Sequence, residues 1–206
     1  MIDDLTAMRR ALDLAQAALG STAPNPAVGC VIIKNGEVIA EAATGASGRP
    51  HAEEAALAML GGRADGANIY VTLEPCAHES ARGPACADGI AKSNAARCVV
   101  ACGDPDPRTA GEGLERLRAA GIQVERGLCE AEAQALNAGF FRRLATGRPI
   151  AQVSADIKGF DAEFRLGVGE SFEQAMDRMG QEGLTRVRVR PGSPLEEALR
   201  SRGLLD

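Results

Sequence analysis

Both histidines and two of the six cysteines of this chain lie between positions 51 and 86. His51 is followed two residues later by Glu53, and Cys76 and Cys86 come further along the same stretch. One imidazole and two thiolates suit zinc, and three protein ligands leave its fourth tetrahedral position open, as in catalytic zinc sites. A carboxylate close to such a site can take a proton from water and pass it on. The pattern therefore predicts a catalytic zinc site held by His51, Cys76 and Cys86, with Glu53 as the general acid and base.

Each part of this pattern is weak when it stands alone. A His-x-Glu pair is common, and a cysteine after a proline is most often a buried thiol in a loop. The ordered combination of His51-Ala-Glu53 at a helix start, Pro75-Cys76 after a strand and then Cys86 matches the signature of zinc-dependent deaminases. Nine residues separate the two cysteines, whereas the commonest form of the signature has two, so the second thiolate follows a longer loop.

The composition is that of an ordinary globular domain. Hydrophobic residues make up 45% of the 206 residues and charged residues 25%. Aromatic residues are only 3% and the net charge is -5, which disfavours base stacking and binding to phosphate backbones. The acidic start lacks a signal-peptide pattern, and no apolar run is long enough to span a bilayer. We therefore predict a cytoplasmic protein that acts on a small molecule, with neither nucleic acid nor membrane as a partner.

The remaining cysteines fit this location. Cys30, Cys98 and Cys102 fall in apolar strand-like stretches, and Cys129 lies at a helix start. In a reducing compartment such residues are small buried hydrophobes more often than members of a disulfide framework.

The elements that must position the chemical residues alternate between strands and helices after an opening hairpin. Asn35-Gly36, a dipeptide that tolerates positive φ at both centres of a type I′ turn, joins the two strands of that hairpin. The periodicity predicts helices over 4–19, 52–60, 85–93, 111–120 and 130–144, and strands over 28–34, 37–42, 68–73, 97–102 and 122–125. This order predicts a three-layer α/β/α domain with a mixed sheet over residues 1–147.

Residues 148–206 follow a different pattern, which predicts a small α/β appendage. Strands are expected over 150–156 and 184–189, and helices over 172–179 and 194–199. A segment of this length buries too little surface for a second catalytic α/β domain. We expect it to pack on the main domain or on a partner chain.

Several longer motifs together resemble one enzyme family. They are Thr22-Ala-Pro-Asn-Pro-Ala-Val-Gly29, His51-Ala-Glu53, Thr72-Leu-Glu-Pro-Cys-Ala-His78, Cys86-Ala-Asp88, Asp104-Pro-Asp-Pro107, Ala110-Gly111 and Leu136-Asn-Ala-Gly-Phe140. From about Met8 to Pro149 the chain resembles the deaminase domain of the bifunctional deaminase/reductase of riboflavin biosynthesis. The resemblance implies a cytidine-deaminase-like fold with bound Zn²⁺. It also implies hydrolytic deamination of 2,5-diamino-6-ribosylamino-4(3H)-pyrimidinone 5′-phosphate, the product of GTP ring opening.

Substrate contacts are implied by position in the same motifs. Asn25 and Asp104 would contact the pyrimidine or the ribose, and His78 would line the pocket behind the metal. Because Asn-Pro and Asp-Pro favour turns, a turn or capping role is the alternative for these residues. Arg82 is the only cation between the two cysteine ligands and is able to meet a phosphate; a solvated loop charge is the alternative for it.

The chain departs from the family pattern before the His-Ala-Glu motif. The family usually has a histidine and a lysine there, whereas this chain has neither over Ala43–Gly48 and shows Thr44 and Ala46 instead. This departure leaves open a repurposed deaminase of another small aminopyrimidine or purine base.

The tail resembles two ends of the family's reductase domain. Residues 148–159 are similar to its first strand and residues 184–205 to its last strand and helix, with most of the domain between them missing. Arg190-Pro-Gly-Ser193 stands where a phosphate-binding Gly-Gly turn is expected, and proline removes one backbone donor. We therefore predict a truncated reductase remnant without an NADPH site. A catalytically idle scaffold or binding subunit is the alternative for the whole chain, and the family's tendency to associate implies a homodimer.

Overall fold

The structure is a computed structural model and describes residues 2–78, 83–106 and 109–206. The helices in chain order are α1 (Asp4–Ala18), α2 (Ala52–Ala58), α3 (Cys86–Lys92), α4 (Glu112–Ala119), α5 (Glu130–Leu136), α6 (Ala138–Thr146), α7 (Phe172–Gln181) and α8 (Pro194–Ser201). The strands are β1 (Gly29–Lys34), β2 (Glu37–Ala43), β3 (Asn68–Leu73), β4 (Arg97–Cys102), β5 (Gln123–Arg126), β6 (Ile150–Val153), β7 (Ala162–Glu163) and β8 (Arg186–Val189).

The main sheet has five strands in the order β2-β1-β3-β4-β5. β1 runs antiparallel to both β2 and β3, whereas β3, β4 and β5 run parallel. Helices α1 and α5 pack together over one side, and α2, α3 and α4 pack in succession over the other. The predicted three-layer fold with a mixed sheet is confirmed.

Local sequence signals explain how the first elements form. Asp3 caps α1 by accepting a hydrogen bond from the Thr6 amide at 2.8 Å. In the hairpin turn Asn35 has φ 54° and Gly36 has φ 81°, so both central residues adopt the left-handed conformation that the dipeptide predicts. The central strands are buried along nearly their whole length, as strands covered on both faces must be.

The predicted helix over 130–144 is wrong, because α5 and α6 are separate helices that meet at Asn137. The Asn137 side chain is 3% exposed and bonds to the backbone of Ala27. Its Oδ1 accepts from the Ala27 amide at 3.0 Å and its Nδ2 donates to the Ala27 carbonyl at 2.8 Å. The chain turns at Asn137, where the side-chain amide pairs both the buried amide and the buried carbonyl of Ala27.

Residues after 148 form a second, parallel sheet with the order β6-β8-β7. Its own apolar core includes Met176 and Met179 of α7 and Val187 of β8. The predicted strand over 150–156 is shorter than expected, since β6 ends at Val153, and β7 was not predicted because two residues carry no periodic signal.

The tail packs directly on α6. A Cβ atom on Gly139 would lie 2.3 Å from the Thr185 carbonyl oxygen, and one on Gly180 would lie 1.8 Å from the Gly147 carbonyl oxygen. Only glycine permits such close backbone contacts. Among the described residues, no helix is both long enough and apolar enough to cross a membrane.

Candidate active site

His51, Cys76 and Cys86 come from three different segments and converge on one point. Their ligand atoms all lie within 4.8 Å of one another. His51 Nδ1 is 3.1 Å from Cys86 Sγ and 3.7 Å from Cys76 Sγ. The convergence that the sequence predicts is thus present in the fold.

Backbone contacts hold the three ligands in place. His51 immediately precedes α2, and its amide donates to the Glu54 carboxylate, which reaches back from the first turn. Cys76 follows β3 and is tied to the start of α3 at two atoms. Its sulfur accepts from the Cys86 amide at 3.3 Å, and its carbonyl accepts from the Ala87 amide at 3.1 Å.

This donor set fits a tetrahedral zinc ion. Bonds of about 2.0 Å to nitrogen and 2.3 Å to sulfur would separate a nitrogen and a sulfur ligand by roughly 3.5 Å. The two nitrogen–sulfur distances, 3.1 and 3.7 Å, lie on either side of that value. The pKa of Cys76 is lowered, chiefly because the Cys86 side chain hydrogen-bonds to its sulfur, so a thiolate is already favoured there.

Glu53 lies in the first turn of α2 and is only 4% exposed. Burial is the main cause that raises the pKa of its carboxyl to about 7, while His51 and hydrogen bonds from the Cys86 side chain and a backbone amide act in the opposite direction. A carboxyl group with a pKa near neutrality can both accept and give up a proton under ordinary conditions.

These residues open onto a cavity of about 370 Å³, within the range of small-molecule sites. Its lining residues lie between positions 24 and 106 of the sequence and on α6. The lining residues are Pro24, Asn25, Pro26, Val28, Thr44, Arg49, His51, Glu53, Leu73, Glu74, Cys76, His78, Asp104, Asp106, Phe140, Arg143 and Leu144.

Asn25 and His78 line this cavity. The Asn25 backbone also forms a turn with Thr22, whose hydroxyl donates to the Asn25 carbonyl at 3.1 Å. A Cβ atom on Gly48, which has φ 84°, would lie 1.7 Å from Asn25 Nδ2, so glycine is needed where this side chain rests. His78 Nδ1 lies 3.3 Å from the Thr109 hydroxyl oxygen.

Asp104 also lines the cavity and takes part in a turn. Its Oδ1 accepts from the Asp106 amide at 2.9 Å. Burial is the main cause that raises the pKa of its carboxyl to about 6, with further contributions from the neighbouring charges of Asp106 and Glu74. The turn role and a position in the cavity wall are therefore compatible. Arg82, the predicted phosphate contact, lies outside the described residues.

Four charged residues in the cavity wall were assigned no role from the sequence: Arg49, Glu74, Asp106 and Arg143. Arg49 donates from Nη1 to Glu54 at 2.9 Å. Glu74 is 3% exposed, and its Oε1 has no hydrogen-bond partner among the described residues. Arg143 comes from α6 and donates from Nε to the Gly180 carbonyl at 2.8 Å. Arg143 lies three residues after Phe140, which ends the Leu136–Phe140 motif. Residues three apart share a face of a helix, so this spacing could have pointed to Arg143.

The other four cysteines belong neither to the ligand group nor to the cavity lining. Burial is the main cause that raises the pKa of Cys98 and Cys102 to about 12 and that of Cys30 well above the ordinary value. Such thiols stay protonated and unreactive. Cys129 is half-buried at the start of α5.

Comparison with known proteins agrees with the geometry. The family model described as "Cytidine and deoxycytidylate deaminase zinc-binding region" matches residues 1–102. Riboflavin biosynthesis protein RibD of Escherichia coli (strain K12) is 47% identical over 164 residues, which are 80% of this chain and 44% of that protein. The diaminohydroxyphosphoribosylamino-pyrimidine deaminase of Buchnera aphidicola is 42% identical over 148 residues, 72% of this chain and 100% of that protein. This chain belongs to the diaminohydroxyphosphoribosylaminopyrimidine deaminase family.

Membership in this deaminase family confirms the resemblance that the sequence motifs carry, and places the chain in a family of hydrolases. The chain spans a little under half the length of the RibD relatives from Escherichia coli and Haemophilus influenzae.

Solved structures of the deaminase family share the fold. RibD of Acinetobacter baumannii (form 1) superposes with a TM-score of 0.81 at 28% identity, over 98% of this chain and 84% of that one. A deaminase/reductase from Thermotoga maritima gives the same TM-score at 24% identity, over 96% of this chain and 83% of that one. Because the first superposition covers 98% of the chain, it extends well into residues 148–206.

Proposed function

We propose that this chain catalyses the zinc-dependent hydrolytic deamination of 2,5-diamino-6-ribosylamino-4(3H)-pyrimidinone 5′-phosphate, a step of riboflavin biosynthesis. The observation that carries the proposal is the convergence of His51, Cys76 and Cys86 within 4.8 Å beside the buried carboxyl of Glu53. Family membership supports the substrate, because the Buchnera relative that bears this activity in its name is covered over its full length.

His51, Cys76 and Cys86 are the residues that would hold the metal. When bound, zinc supplies Lewis acidity that brings the pKa of water from 15.7 to about 7. Glu53 is the residue that would move protons, since its buried carboxyl lies in the first turn of α2, two residues after the ligand His51, and burial raises its pKa.

The amine at carbon 2 is the group that leaves, because carbon 2 lies between two ring nitrogens and is electron-poor. The oxygen of water bonds to carbon 2, and the Glu53 carboxylate takes a proton from that water. Glu53 gives this proton to the adjacent ring nitrogen. It then takes the proton of the hydroxyl group now on carbon 2 and gives it to the amine. The carbon–nitrogen bond breaks, ammonia leaves, and carbon 2 becomes a carbonyl carbon.

The polar side chains of the cavity wall are suited to bind a small polar substrate. Asn25, His78 and Asp104 present an amide, an imidazole and a carboxyl group to the same space. We assign these side chains to the pyrimidine and the ribose. Arg82 stays a predicted phosphate contact.

Ammonia release from a panel of aminopyrimidines tests the proposed reaction. The panel contains the phosphorylated substrate, its dephosphorylated ribonucleoside and the free base. We expect ammonia from the phosphorylated compound with the highest kcat/KM. Ammonia from none of the three, with a full zinc complement, would instead favour the idle binding subunit.

Metal content is tested separately by elemental analysis of the purified protein. We expect about one zinc ion per chain in the wild type and a marked loss in Cys86→Ser. Cys129→Ser is the matched control, because Cys129 lies at the start of α5 and outside the ligand group. Zinc retained at the wild-type level in Cys86→Ser would mean that another group is the third ligand.

A deaminase of a base without ribose phosphate is the second candidate. The observation that favours it is Thr44, which stands in the cavity wall where the family usually has a longer polar side chain. Its hydroxyl is already engaged with Val28, accepting from the amide at 3.0 Å. Ammonia from the free base alone would select this candidate.

We further propose that residues 1–147 form the deaminase domain and that residues 148–206 are a reductase-like remnant without an NADPH site. The turn after β8 supports this assignment. Pro191 has no amide hydrogen, and the Gly192 amide donates to the Glu196 carboxylate at 2.7 Å. The backbone donors that a phosphate would need are therefore missing or taken by the chain's own carboxylate.

A further inference from the structure

We propose that Arg143 binds the 5′-phosphate of the substrate and so determines the preference of the site for phosphorylated aminopyrimidines. The proposal rests on the deaminase function proposed above and adds a specificity-determining residue to it. Arg143 lies in the second half of α6 and lines the same cavity as His51 and Glu53.

Arg143 brings a positive charge that the described residues do not compensate. Its Nε donates to the carbonyl oxygen of Gly180 at 2.8 Å, and no described carboxylate forms an ion pair with it. The neighbouring Arg142 pairs with Asp206, and Arg49, which also lines the cavity, pairs with Glu54. Because a guanidinium stays charged at any ordinary pH, Arg143 gives the cavity a cation that is open to an anionic ligand.

The contact with Gly180 also orients the guanidinium. With Nε engaged, both Nη atoms remain as a parallel pair of donors, the arrangement that binds phosphate at two oxygens. The backbone of Gly180 packs closely against Gly147, at the end of α6, because Gly180 has no side chain. A Cβ atom on Gly180 would lie 1.8 Å from the Gly147 carbonyl oxygen. The tail helix α7 thus fixes the side chain that faces the cavity.

The charges of the cavity are unevenly distributed. Four carboxyl groups, those of Glu53, Glu74, Asp104 and Asp106, line the cavity together with the predicted ligands His51 and Cys76. A phosphate dianion would be repelled by this group. On the α6 side Leu144 is 42% exposed, so that wall borders solvent, whereas Glu53 is 4% exposed. The reacting amine belongs at the buried end and the phosphate at the α6 end.

The kinetic test compares Arg143→Gln with wild type on the phosphorylated substrate and on its dephosphorylated ribonucleoside. We expect kcat/KM for the phosphorylated compound to fall roughly 10- to 100-fold, the effect of losing charge-assisted hydrogen bonds. For the ribonucleoside we expect a change of less than about threefold. Arg143→Lys keeps the charge without the paired donors and should give an intermediate loss.

Arg142→Gln is the matched control, since Arg142 neighbours Arg143 on α6 and does not line the cavity. We expect it to keep the wild-type ratio between the two substrates. Circular dichroism and zinc content check that each variant folds. Equal losses on both substrates in Arg143→Gln, or no loss on either, would overturn the proposal while the ammonia released by wild type still supports the proposed function.

A binding experiment separates this proposal from the reaction. Calorimetric titration with ribose 5-phosphate, which has no base to deaminate, should give binding to wild type and to Arg142→Gln. Binding at least tenfold weaker is expected for Arg143→Gln. If wild type binds this probe through Arg143 but releases no ammonia, the proposed function fails and the phosphate site stands. Equal binding by all three proteins would overturn the phosphate site.

Discussion

Replacing Asn137 by alanine should destabilise the domain more than most single substitutions. The Asn137 amide lies between α5 and α6, and both of its polar atoms bond to Ala27, 110 residues away in the sequence. Ala27 is 1% exposed and Asn137 3% exposed, so water has little access to either residue. Asn137→Ala removes both partners of Ala27 at once.

The size of the effect follows from the two groups left unpaired. A buried backbone donor or acceptor without a partner costs about 1–3 kcal/mol, so losing both partners should cost about 2–6 kcal/mol. The higher helix propensity of alanine offsets less than about 1 kcal/mol of this loss in the free energy of unfolding. Since small domains are stable by about 5–15 kcal/mol, the net loss is a substantial fraction of the total.

Urea denaturation followed by circular dichroism measures this loss as a fall in the free energy of unfolding. Gln134→Ala is the control on α5, because Gln134 is exposed and makes one long hydrogen bond of 3.4 Å to Glu130. It should change stability by less than about 0.5 kcal/mol. A loss below about 1 kcal/mol in Asn137→Ala with an unchanged m-value would refute the reasoning, because it would mean that the Ala27 groups find other partners.

Asn137→Asp refines the same experiment. A carboxylate can still accept from the Ala27 amide but cannot donate to the Ala27 carbonyl, and its charge is buried. The folded state therefore favours the protonated acid and raises its pKa, so the stability of this variant should be greatest at low pH and fall as pH rises. A variant whose loss relative to wild type is the same at pH 4 and pH 7 would contradict this account.

Three further predictions concern the proposed proton carrier Glu53, an ion pair and the tail. Glu53→Gln should keep zinc and fold but lower ammonia release by about 10²- to 10⁴-fold, because an amide cannot carry protons; a near-normal rate would rule out this role for Glu53. Asp4→Asn should cost about 1 kcal/mol at pH 7, since hydrogen bonds from Arg97 and Tyr70 lower the pKa of this partly exposed carboxyl. The difference should vanish as pH falls through that lowered pKa, and urea midpoints that differ equally at pH 7 and pH 3 would argue against it. Calorimetry should detect no micromolar binding of NADPH, and such binding would count against the remnant assignment. A chain ending at Gly147 should show lower solubility or an altered assembly state by light scattering. A truncated chain that stays soluble with an unchanged assembly state would also count against the assignment.

The parts of the fold that short-range patterns encode were predictable from the sequence. Asn35-Gly36 predicts its turn because few dipeptides tolerate positive φ at both positions, and the structure has φ 54° and 81° there. The convergence of the candidate metal ligands was predictable for another reason. Their chemistry restricts the residue types so strongly that His51, Cys76 and Cys86 could be grouped without knowing how the chain folds between them.

The parts that depend on distant contacts were not predictable from local patterns. The break at Asn137 is invisible to periodicity, because its cause is a pair of hydrogen bonds to Ala27. Strand β7 has two residues and forms because β8 lies beside it. Arg143 looks like one more surface arginine of an amphipathic helix until the packing of α6 turns it toward the cavity.

Helix α6 connects residues 148–206 to the wall of the candidate site. On one side α6 supplies Phe140 and Arg143 to the cavity wall. On the other side Gly139 packs against the Thr185 carbonyl, and Arg143 itself is held by the Gly180 carbonyl. Because the same helix faces both the cavity and the tail, a change in the tail can shift the α6 side chains of the cavity wall, although no tail residue lines the cavity. The tail therefore acts on this site as a support of its wall.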